Sequence, residues 1–72
     1  MTPLGTIDLN LLLVLDAILR HRSLSRAAGE LGLTQSAVSG QLRRLRALLD
    51  DMLFVRGSHG VLPTPYSEAL AP

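Results

Sequence analysis

At 72 residues the chain has room for one small domain, and its 47% of hydrophobic residues favours a folded core over disorder. With one Phe, one Tyr and no Cys, that core is aliphatic and has no disulfide bonds. The formal net charge is only +1. Six of the seven basic residues nevertheless lie between Arg20 and Arg46, and Glu30 is the only acidic residue among them. All seven are Arg, whose guanidinium suits phosphate and guanine. A GC-rich genome explains the missing Lys equally well, but it does not explain the clustering.

Membrane and enzyme classes find little support in the sequence. The apolar run from Leu11 to Leu15 is too short for a membrane span, and acidic rather than basic residues flank it, unlike a signal peptide. We therefore expect a cytoplasmic protein with no membrane contact. His21, His59 and the scattered acids show neither metal-ligand spacing nor a nucleophile–base pair. The sequence thus predicts no enzyme, no cofactor and no metal site.

The first predicted helix is capped by Asp8 and runs to Arg20 or His21, after a loose N-terminus over residues 1–6. It is apolar on more than one side, whereas a helix with one buried stripe needs only about half its positions apolar. The excess predicts a second covering surface, either another helix of this chain or a partner subunit. The alternative is a helix at the centre of a very small domain.

Two further helices follow a short polar break. Ser23 or Ser25 caps a helix through Leu31, and Gly32 then supplies the positive φ that ends it. Thr34 caps a third helix to about Leu49. Its apolar stripe recurs every three or four residues, at Val38, Leu42, Leu45 and Leu49. The other side carries small, polar and basic residues: Gln35, Ser36, Ser39, Gly40, Arg43, Arg46 and Ala47.

A hairpin and a last helix complete the chain. Residues 53–55 suit a strand, residues 56–60 a polar tip, and Val61 and Leu62 a return strand that Pro63 stops. Thr64 or Ser67 then opens a helix that has Pro65 in its first turn.

The second and third helices together form a predicted helix-turn-helix. Ala27 and Ala28 are small enough for the helices to approach closely, and Leu31, Leu33 and Val38 are expected to bury the inside of the corner. In such a unit the second helix enters the major groove, with its N-terminal residues facing bases. Here those residues are Gln35, Ser36, Ser39 and Gly40. Gln pairs with adenine, and Ser hydrogen-bonds several bases.

Five segments resemble the N-terminal domain of LysR-type bacterial regulators. They are residues 8–12, 23–28, 34–39, 53–56 and 62–65, which read DLNLL, SLSRAA, TQSAVS, LFVR and LPTP. They are distributed from residue 8 to residue 65, in the family's order. Arg46 and the Pro63-Thr64-Pro65 exit are most similar to the branch that contains the nodulation regulators. Two positions depart from the pattern: Ser36 stands where the family usually has Pro, and Gly40 where many members have Arg or another long polar residue.

The resemblance implies a mostly α fold, a three-helix winged helix-turn-helix with a short two-stranded wing and the start of a linker helix. Residues 1–63 would form the DNA-binding domain and residues 64–72 the linker, cut at Pro72. The implied function is sequence-specific DNA binding by a transcription regulator, with recognition helix 34–49 in the major groove and wing 54–62 on the minor groove or backbone. The implied DNA-contacting residues are Ser25, Arg26, Thr34, Gln35, Ser36, Ser39, Gly40, Arg43 and Arg56.

The resemblance also implies partners. The linker helix and the first helix would form a homodimer, the full-length protein a tetramer, and a small-molecule effector would bind only in a missing C-terminal domain.

Several residues have simpler interpretations. Thr34 and Ser25 serve equally well as helix caps, Ser39 as an exposed helix residue, and Arg44 and Arg46 as a solvated face or ion pairs with Asp50.

Two other functions fit the pattern. One is a winged-helix protein-interaction module without DNA binding, and the other is a different winged-helix family, such as a small repressor complete in itself. Salt-dependent duplex binding distinguishes a DNA-binding domain from an interaction module. Phosphate contacts release counterions, so only the DNA-binding domain is expected to lose affinity steeply as salt rises.

Overall fold

The computed structural model describes residues 9–70 and has four helices and one hairpin in that range. Their order is α1 (Leu9–His21), α2 (Leu24–Leu31), α3 (Gln35–Leu49), β1 (Phe54–Gly57), β2 (Gly60–Pro63) and α4 (Pro65–Leu70). The mostly helical, winged fold class is therefore confirmed. The predicted cap at Asp8 and the chain end at Pro72 lie outside the described residues. Within residues 9–70, no helix is long and apolar enough to cross a membrane.

One aliphatic core joins the three long helices to the base of the hairpin. Its members are all at most 4% exposed: Leu11, Val14, Leu15, Ala17, Ile18, Ala27, Ala28, Val38, Leu42, Leu45, Leu53 and Phe54. Phe54 is the largest fully buried side chain among them. The predicted α3 stripe is confirmed, with Leu49 only partly buried at its end. This core fixes α3 and the wing relative to each other, so it determines the geometry of the surface between them.

The surplus of apolar residues on α1 is not covered within residues 9–70. Leu11, Val14 and Ile18 face the core, whereas Leu9 is 69% exposed and Leu13 48% exposed. The core therefore accounts for one side of α1 only. The apolar side that it leaves open is the one that the sequence predicted to need a second surface.

The caps of the helix-turn-helix are the ones the sequence predicts, and Ser23 rather than Ser25 is the cap of α2. Ser23 Oγ accepts from the Arg26 N–H at 3.2 Å, and Thr34 Oγ1 accepts from the Ala37 N–H at 3.0 Å. Gly32 lies in the left-handed region at φ 69°, where its N–H reaches the last carbonyls of α2. These contacts satisfy orphan groups at the helix ends, so the turn is fixed locally.

The inside of the helix-turn-helix corner differs from the prediction at one residue. Val38 is fully buried and Leu31 half-buried, but Leu33 is 41% exposed. Its position explains this, because the Leu33 N–H turns back to the Ala28 carbonyl at 2.9 Å and completes the cap of α2. The turn backbone is thus directed inward while the Leu33 side chain remains in solvent.

The wing is a tighter hairpin than the sequence suggests. Phe54 pairs with Pro63, and Gly57 pairs with Gly60, so the tip is only Ser58 and His59 rather than residues 56–60. Pro63 is the last paired residue of β2, not a residue beyond it. A two-stranded ladder accepts Pro there because both of its strands are edges.

Leu53 is not part of the strand that the sequence predicts for it. It has φ 66° and is fully buried. Its N–H donates to Asp51 Oδ1 at 2.7 Å, and its carbonyl accepts from the Thr64 N–H at 2.9 Å. Because both backbone groups bind outside the ladder, the strand begins one residue later.

Thr64 opens α4, and Ser67 is not its cap. Thr64 Oγ1 accepts from the Ser67 N–H at 3.1 Å and donates to Asp51 Oδ1 at 2.7 Å. Pro65 is the first helical residue, where its missing N–H costs no hydrogen bond. Ser67 is instead fully buried. Thr64 thereby ties the start of α4 to the residues that follow α3.

Charged side chains connect α1 to α2. Arg20 binds Glu30 through its terminal nitrogens and Asp16 through Nε at 2.9 Å, and His21 Nε2 lies 2.7 Å from Glu30 Oε1. The hydrogen bonds from Arg20, followed by the one from His21, lower the pKa of Glu30 from 4.5 to about 2. The hydrogen bond to Glu30, followed by the one to Asp16, raises the pKa of Arg20 above its already high value. These groups are exposed, so the effect on stability is screened by solvent.

We expect the Glu30 contacts to make the stability of the domain depend on pH in acid. A carboxylate whose pKa is lower in the folded state stabilises the fold above its unfolded pKa of 4.5. That contribution is then lost as the pH falls from 4.5 toward about 2. Urea denaturation at stepped pH should show a shallower decline over this range for Glu30→Gln. Glu68→Gln, an exposed change without such contacts, is the control, and an equal slope for Glu30→Gln and wild type contradicts the expectation.

Candidate nucleic-acid interface

A polar, open groove lies between α3 and the wing. The start of α2 contributes Ser23, Leu24 and Ser25 to it, α3 contributes Gln35, Ser39, Leu42, Arg43 and Arg46, and the wing contributes residues 54–58, 60 and 61. The fold thus brings together five of the nine residues that the sequence singles out: Ser25, Gln35, Ser39, Arg43 and Arg56. They come from three elements, and the common core holds those elements in place.

Four of the predicted residues lie outside this groove. Thr34 Oγ1 is occupied as the cap of α3, and Arg26 is exposed in the first turn of α2. Ser36 and Gly40 are one helical turn apart on α3 and therefore share a face, which lies beside the groove-lining residues and away from the buried stripe. The candidate interface is therefore the groove together with the outer face of α3.

The guanidinium groups fall into two classes. Arg20 is held by Asp16 and Glu30, Arg22 Nε donates to the Leu19 carbonyl at 2.9 Å, and Arg46 binds two backbone carbonyls. The other four are exposed, and their side chains have no hydrogen bond or ion pair to residues 9–70: Arg26, Arg43, Arg44 and Arg56. Charge clustering in the sequence therefore overstates the number of guanidinium groups without a partner in the fold, since Arg20, Arg22 and Arg46 each bind groups of the described chain.

Arg43 and Arg56 line the groove from two different elements. Arg43 is exposed on α3 and Arg56 is exposed on β1, and both line the same concavity. Since neither is neutralised by an acid of the described chain, the groove is a place where an anionic ligand gains charge-assisted hydrogen bonds. Gln35 and Ser39 add neutral donors and acceptors beside them.

Arg46 has a role that sequence reasoning missed. Its Nε donates to the Met52 carbonyl at 2.7 Å and its Nη2 to the Phe54 carbonyl at 2.9 Å. It neither pairs with Asp50 nor lies on a freely solvated face. One sequence signal pointed to this position, because Arg46 lies on α3 beside the apolar stripe, near the carbonyls just beyond the helix. The residue fixes the first wing strand to α3.

Gly40 occupies open space within the protein. A Cβ built there meets no heavy atom within 4 Å, so nothing in the described chain requires Gly at this position. From the sequence, three explanations are open: close approach of DNA to the backbone, a weaker base readout, or a substitution without functional effect. All three remain compatible with the free space around Gly40.

Gly40→Ala should raise the free energy of unfolding by up to about 1 kcal/mol, because Ala fits without a clash and is the better helix former. Thermal denaturation followed by circular dichroism measures this. Gly29→Ala is the matched control, a second open helical position but on α2, remote from the groove. A loss of stability in Gly40→Ala alone contradicts the expectation. A loss of duplex affinity in Gly40→Ala alone, together with a higher Tm, identifies close approach as the reason for the Gly.

Comparison with known proteins places this chain among bacterial regulators. Residues 9–68 match the model of the bacterial regulatory helix-turn-helix proteins of the lysR family. The chain is 57% identical over 68 residues to the transcriptional activator NagR of a Ralstonia species, covering 94% of this chain and 23% of NagR. It is 51% identical over 67 residues to the transcriptional regulator SyrM 1 of Sinorhizobium fredii, covering 93% of this chain and 20% of SyrM 1. The chain thus spans about a fifth of the length of the curated relatives it matches.

Solved structures share the fold. A probable transcriptional regulator of Pseudomonas aeruginosa, PA0477, superposes with a TM-score of 0.91 at 51% identity, over 96% of this chain and 23% of that chain. The BenM DBD in its complex with catB site 1 DNA superposes with a TM-score of 0.82 at 30% identity, over 88% of this chain and 71% of that chain. With the helix-turn-helix, the wing and the family match over residues 9–68 in agreement, the chain belongs to the lysR family of bacterial regulatory helix-turn-helix proteins.

Proposed function

We propose that this chain binds double-stranded DNA sequence-specifically as the N-terminal domain of a transcription regulator. The observation that carries the proposal is the groove that Arg43 and Arg56, which have no ion pair within residues 9–70, line together with Gln35 and Ser39. The likeness to the BenM domain, solved on DNA, supports it. A winged-helix interaction module without DNA binding is less well supported, because an unneutralised cationic groove favours a polyanion over an apolar protein surface.

The proposed docking puts the recognition helix in the major groove and the wing against the minor groove or backbone. Gln35, Ser36 and Ser39 then face base edges, and Gly40 lets the DNA approach the helix backbone. Arg43 and Arg56 reach phosphates from the two sides of the groove between α3 and the wing. Arg26, Ser25 and Thr34 lie at helix starts, where backbone N–H groups favour a phosphate.

The proposal extends to the whole regulator. The DNA-binding domain ends at residue 63, residues 64–72 begin the linker helix, and a homodimer forms through that linker and α1. The exposed Leu9, Leu12 and Leu13 of α1 supply an apolar surface for it. A full-length tetramer and an effector site in a C-terminal domain complete the assembly. As a DNA-binding regulator the protein acts in the bacterial cytoplasm, without a cofactor or enzymatic activity of its own.

Fluorescence anisotropy of the protein on a random duplex, across a salt series, tests the function. We expect a dissociation constant of about 10⁻⁴ to 10⁻⁶ M near physiological salt, and the affinity should fall steeply as the salt concentration rises.

Arg56→Ala should weaken binding to all duplexes by a similar factor and lower the salt slope by about one. Arg44→Ala removes the same charge outside the groove and serves as the control. Salt-independent or absent binding of the wild type overturns the proposal. Equal effects of Arg56→Ala and Arg44→Ala would show that the groove is not the DNA-binding surface.

Base reading needs a separate measurement on a selected site. After selection of a preferred duplex from a random library, Gln35→Ala should narrow the affinity gap between that duplex and random DNA. One good base contact accounts for about 1–3 kcal/mol of that gap. If the difference in affinity between the selected duplex and random DNA is unchanged, Gln35 does not contribute to base recognition, although the phosphate contacts of the other residues could still stand.

A further inference from the structure

The wing touches the helical body at a second point, away from its root. The Val61 N–H on β2 donates to the Arg22 carbonyl at 3.0 Å, across the break between α1 and α2. Arg22 has φ 54°, and its own N–H ends α1 on the Ile18 carbonyl at 2.8 Å. The acceptor is therefore a backbone group held by the end of α1. We call the contact between Val61 and Arg22 the wing latch.

Gly60 is the residue that makes room for the wing latch. A Cβ built on Gly60 would lie 2.2 Å from the Arg22 oxygen and 3.4 Å from its carbon, both backbone atoms. The φ of Gly60 is 128°, a conformation that residues with a side chain rarely adopt. Space and backbone conformation thus both favour Gly here, the first because of the Arg22 carbonyl and the second because of the positive φ.

The wing latch holds Val61, which is the residue paired with Arg56 in the hairpin. In the ladder, Val61 is the partner of Arg56, and Gly57 is the partner of Gly60. A hydrogen bond that holds Val61 against the α1–α2 break therefore also fixes the distance from the Arg56 backbone to the helical body. Arg46 holds the beginning of β1 through the Phe54 carbonyl, so the wing is fixed at both ends.

We propose that Gly60 is a positioning residue for DNA binding: by permitting the wing latch, it sets Arg56 at a fixed separation from Arg43 before DNA arrives. The inference rests on the proposed function and deepens it. A wing that is already in place loses no freedom on binding, so its phosphate contact contributes in full to affinity. A wing freed from the helical body keeps its Arg56 but no longer presents it together with α3.

Gly57→Ala provides a matched control within the same hairpin. A Cβ on Gly57 would lie 2.9 Å from Leu62 Cγ and 3.1 Å from its Cδ1. These atoms belong to the side chain of an exposed Leu that can rotate away, whereas the atoms facing Gly60 are backbone. The two substitutions add the same methyl group to paired residues, but only Gly60→Ala opposes the wing latch.

Hydrogen exchange of the Val61 amide tests the wing latch without DNA. Gly60→Ala should accelerate exchange there by on the order of tenfold or more, because the amide loses its acceptor. Gly57→Ala should leave it within about twofold of wild type. Circular dichroism and melting establish that both variants are folded at the temperature used. Unchanged Val61 exchange in folded Gly60→Ala overturns the inference, whatever the DNA results.

A double-mutant cycle with Arg56→Ala tests the consequence for binding. Arg56→Ala should weaken duplex binding in the wild-type and Gly57→Ala backgrounds but have little further effect in Gly60→Ala. Gly60→Ala by itself should lower the salt slope by about one. A general loss of stability would weaken binding whether or not Arg56 is present, so it would not abolish the effect of Arg56→Ala specifically in the Gly60→Ala background. Equal effects of Arg56→Ala in all three backgrounds overturn the inference.

If Gly60→Ala fails to fold, a semisynthetic protein with an ester in place of the Val61 amide replaces it. That variant removes the donor of the wing latch and retains Gly60 and every side chain. In that variant Arg56→Ala should have little further effect on duplex affinity, and an effect as large as in the wild type overturns the inference. If the wild type shows no salt-dependent duplex binding, the proposed function fails, while the exchange measurement still decides whether Gly60 maintains the wing latch.

Discussion

Phe54→Ala should lower the free energy of unfolding by about 3–5 kcal/mol, the usual cost of truncating a buried aromatic side chain. Phe54 is the largest fully buried side chain within residues 9–70, and it is the only Phe of the sequence. It lies where the first wing strand enters the core, in contact with no solvent. In so small a domain the total stability is itself only a few kcal/mol, so most of it should be lost.

Urea denaturation followed by far-ultraviolet circular dichroism measures this loss. Val55→Ala is the control, because Val55 is the next residue of the same strand and is 45% exposed. That substitution should change stability by no more than about 0.5 kcal/mol, as is usual for surface positions. A loss below about 1 kcal/mol in Phe54→Ala would show that the core closes without the aromatic ring.

Arg46→Met should cost about 2–3 kcal/mol of stability and weaken duplex binding in addition. Met keeps most of the aliphatic stem but removes both charge-assisted hydrogen bonds, and it leaves the carbonyls of Met52 and Phe54 without this donor. These carbonyls lie at the root of the wing, so the strand that carries Arg56 loses its attachment to α3. The effect on DNA is therefore expected even at temperatures where the variant is fully folded.

Arg44→Met is the matched control for Arg46→Met. It changes the same charge two residues away on α3, at an exposed position whose side chain binds nothing within residues 9–70. Thermal denaturation and anisotropy on one duplex should separate the two variants in both stability and affinity. Arg46→Lys should recover part of the stability, since an ammonium can donate to one or both carbonyls. Equal stability of the two Met variants contradicts the assigned contacts.

The helices could be predicted from the sequence, because their ends depend on local chemistry. Ser23 and Thr34 cap helices through N–H groups three residues away, and Gly32 supplies a positive φ within its own residue. The buried stripe of α3 likewise follows from helical periodicity. For the same reason the polar face of α3 could be identified in advance, whereas Ser25 on α2 and Arg56 on β1 were predicted from the resemblance to the LysR-type regulators.

Which polar groups are free to bind a ligand depends on tertiary contacts. The guanidiniums of Arg20 and Arg46 look alike in the sequence to those of Arg43 and Arg56, yet the first two are held by Glu30 and by wing carbonyls. The positive φ of Leu53 and the wing latch were equally hidden. Each depends on backbone groups that are distant in sequence or belong to irregular turns, and no residue pattern encodes where those donors and acceptors meet. Periodicity specifies which side of a helix is buried, whereas the pairing of its polar side chains depends on what the folded chain brings beside them.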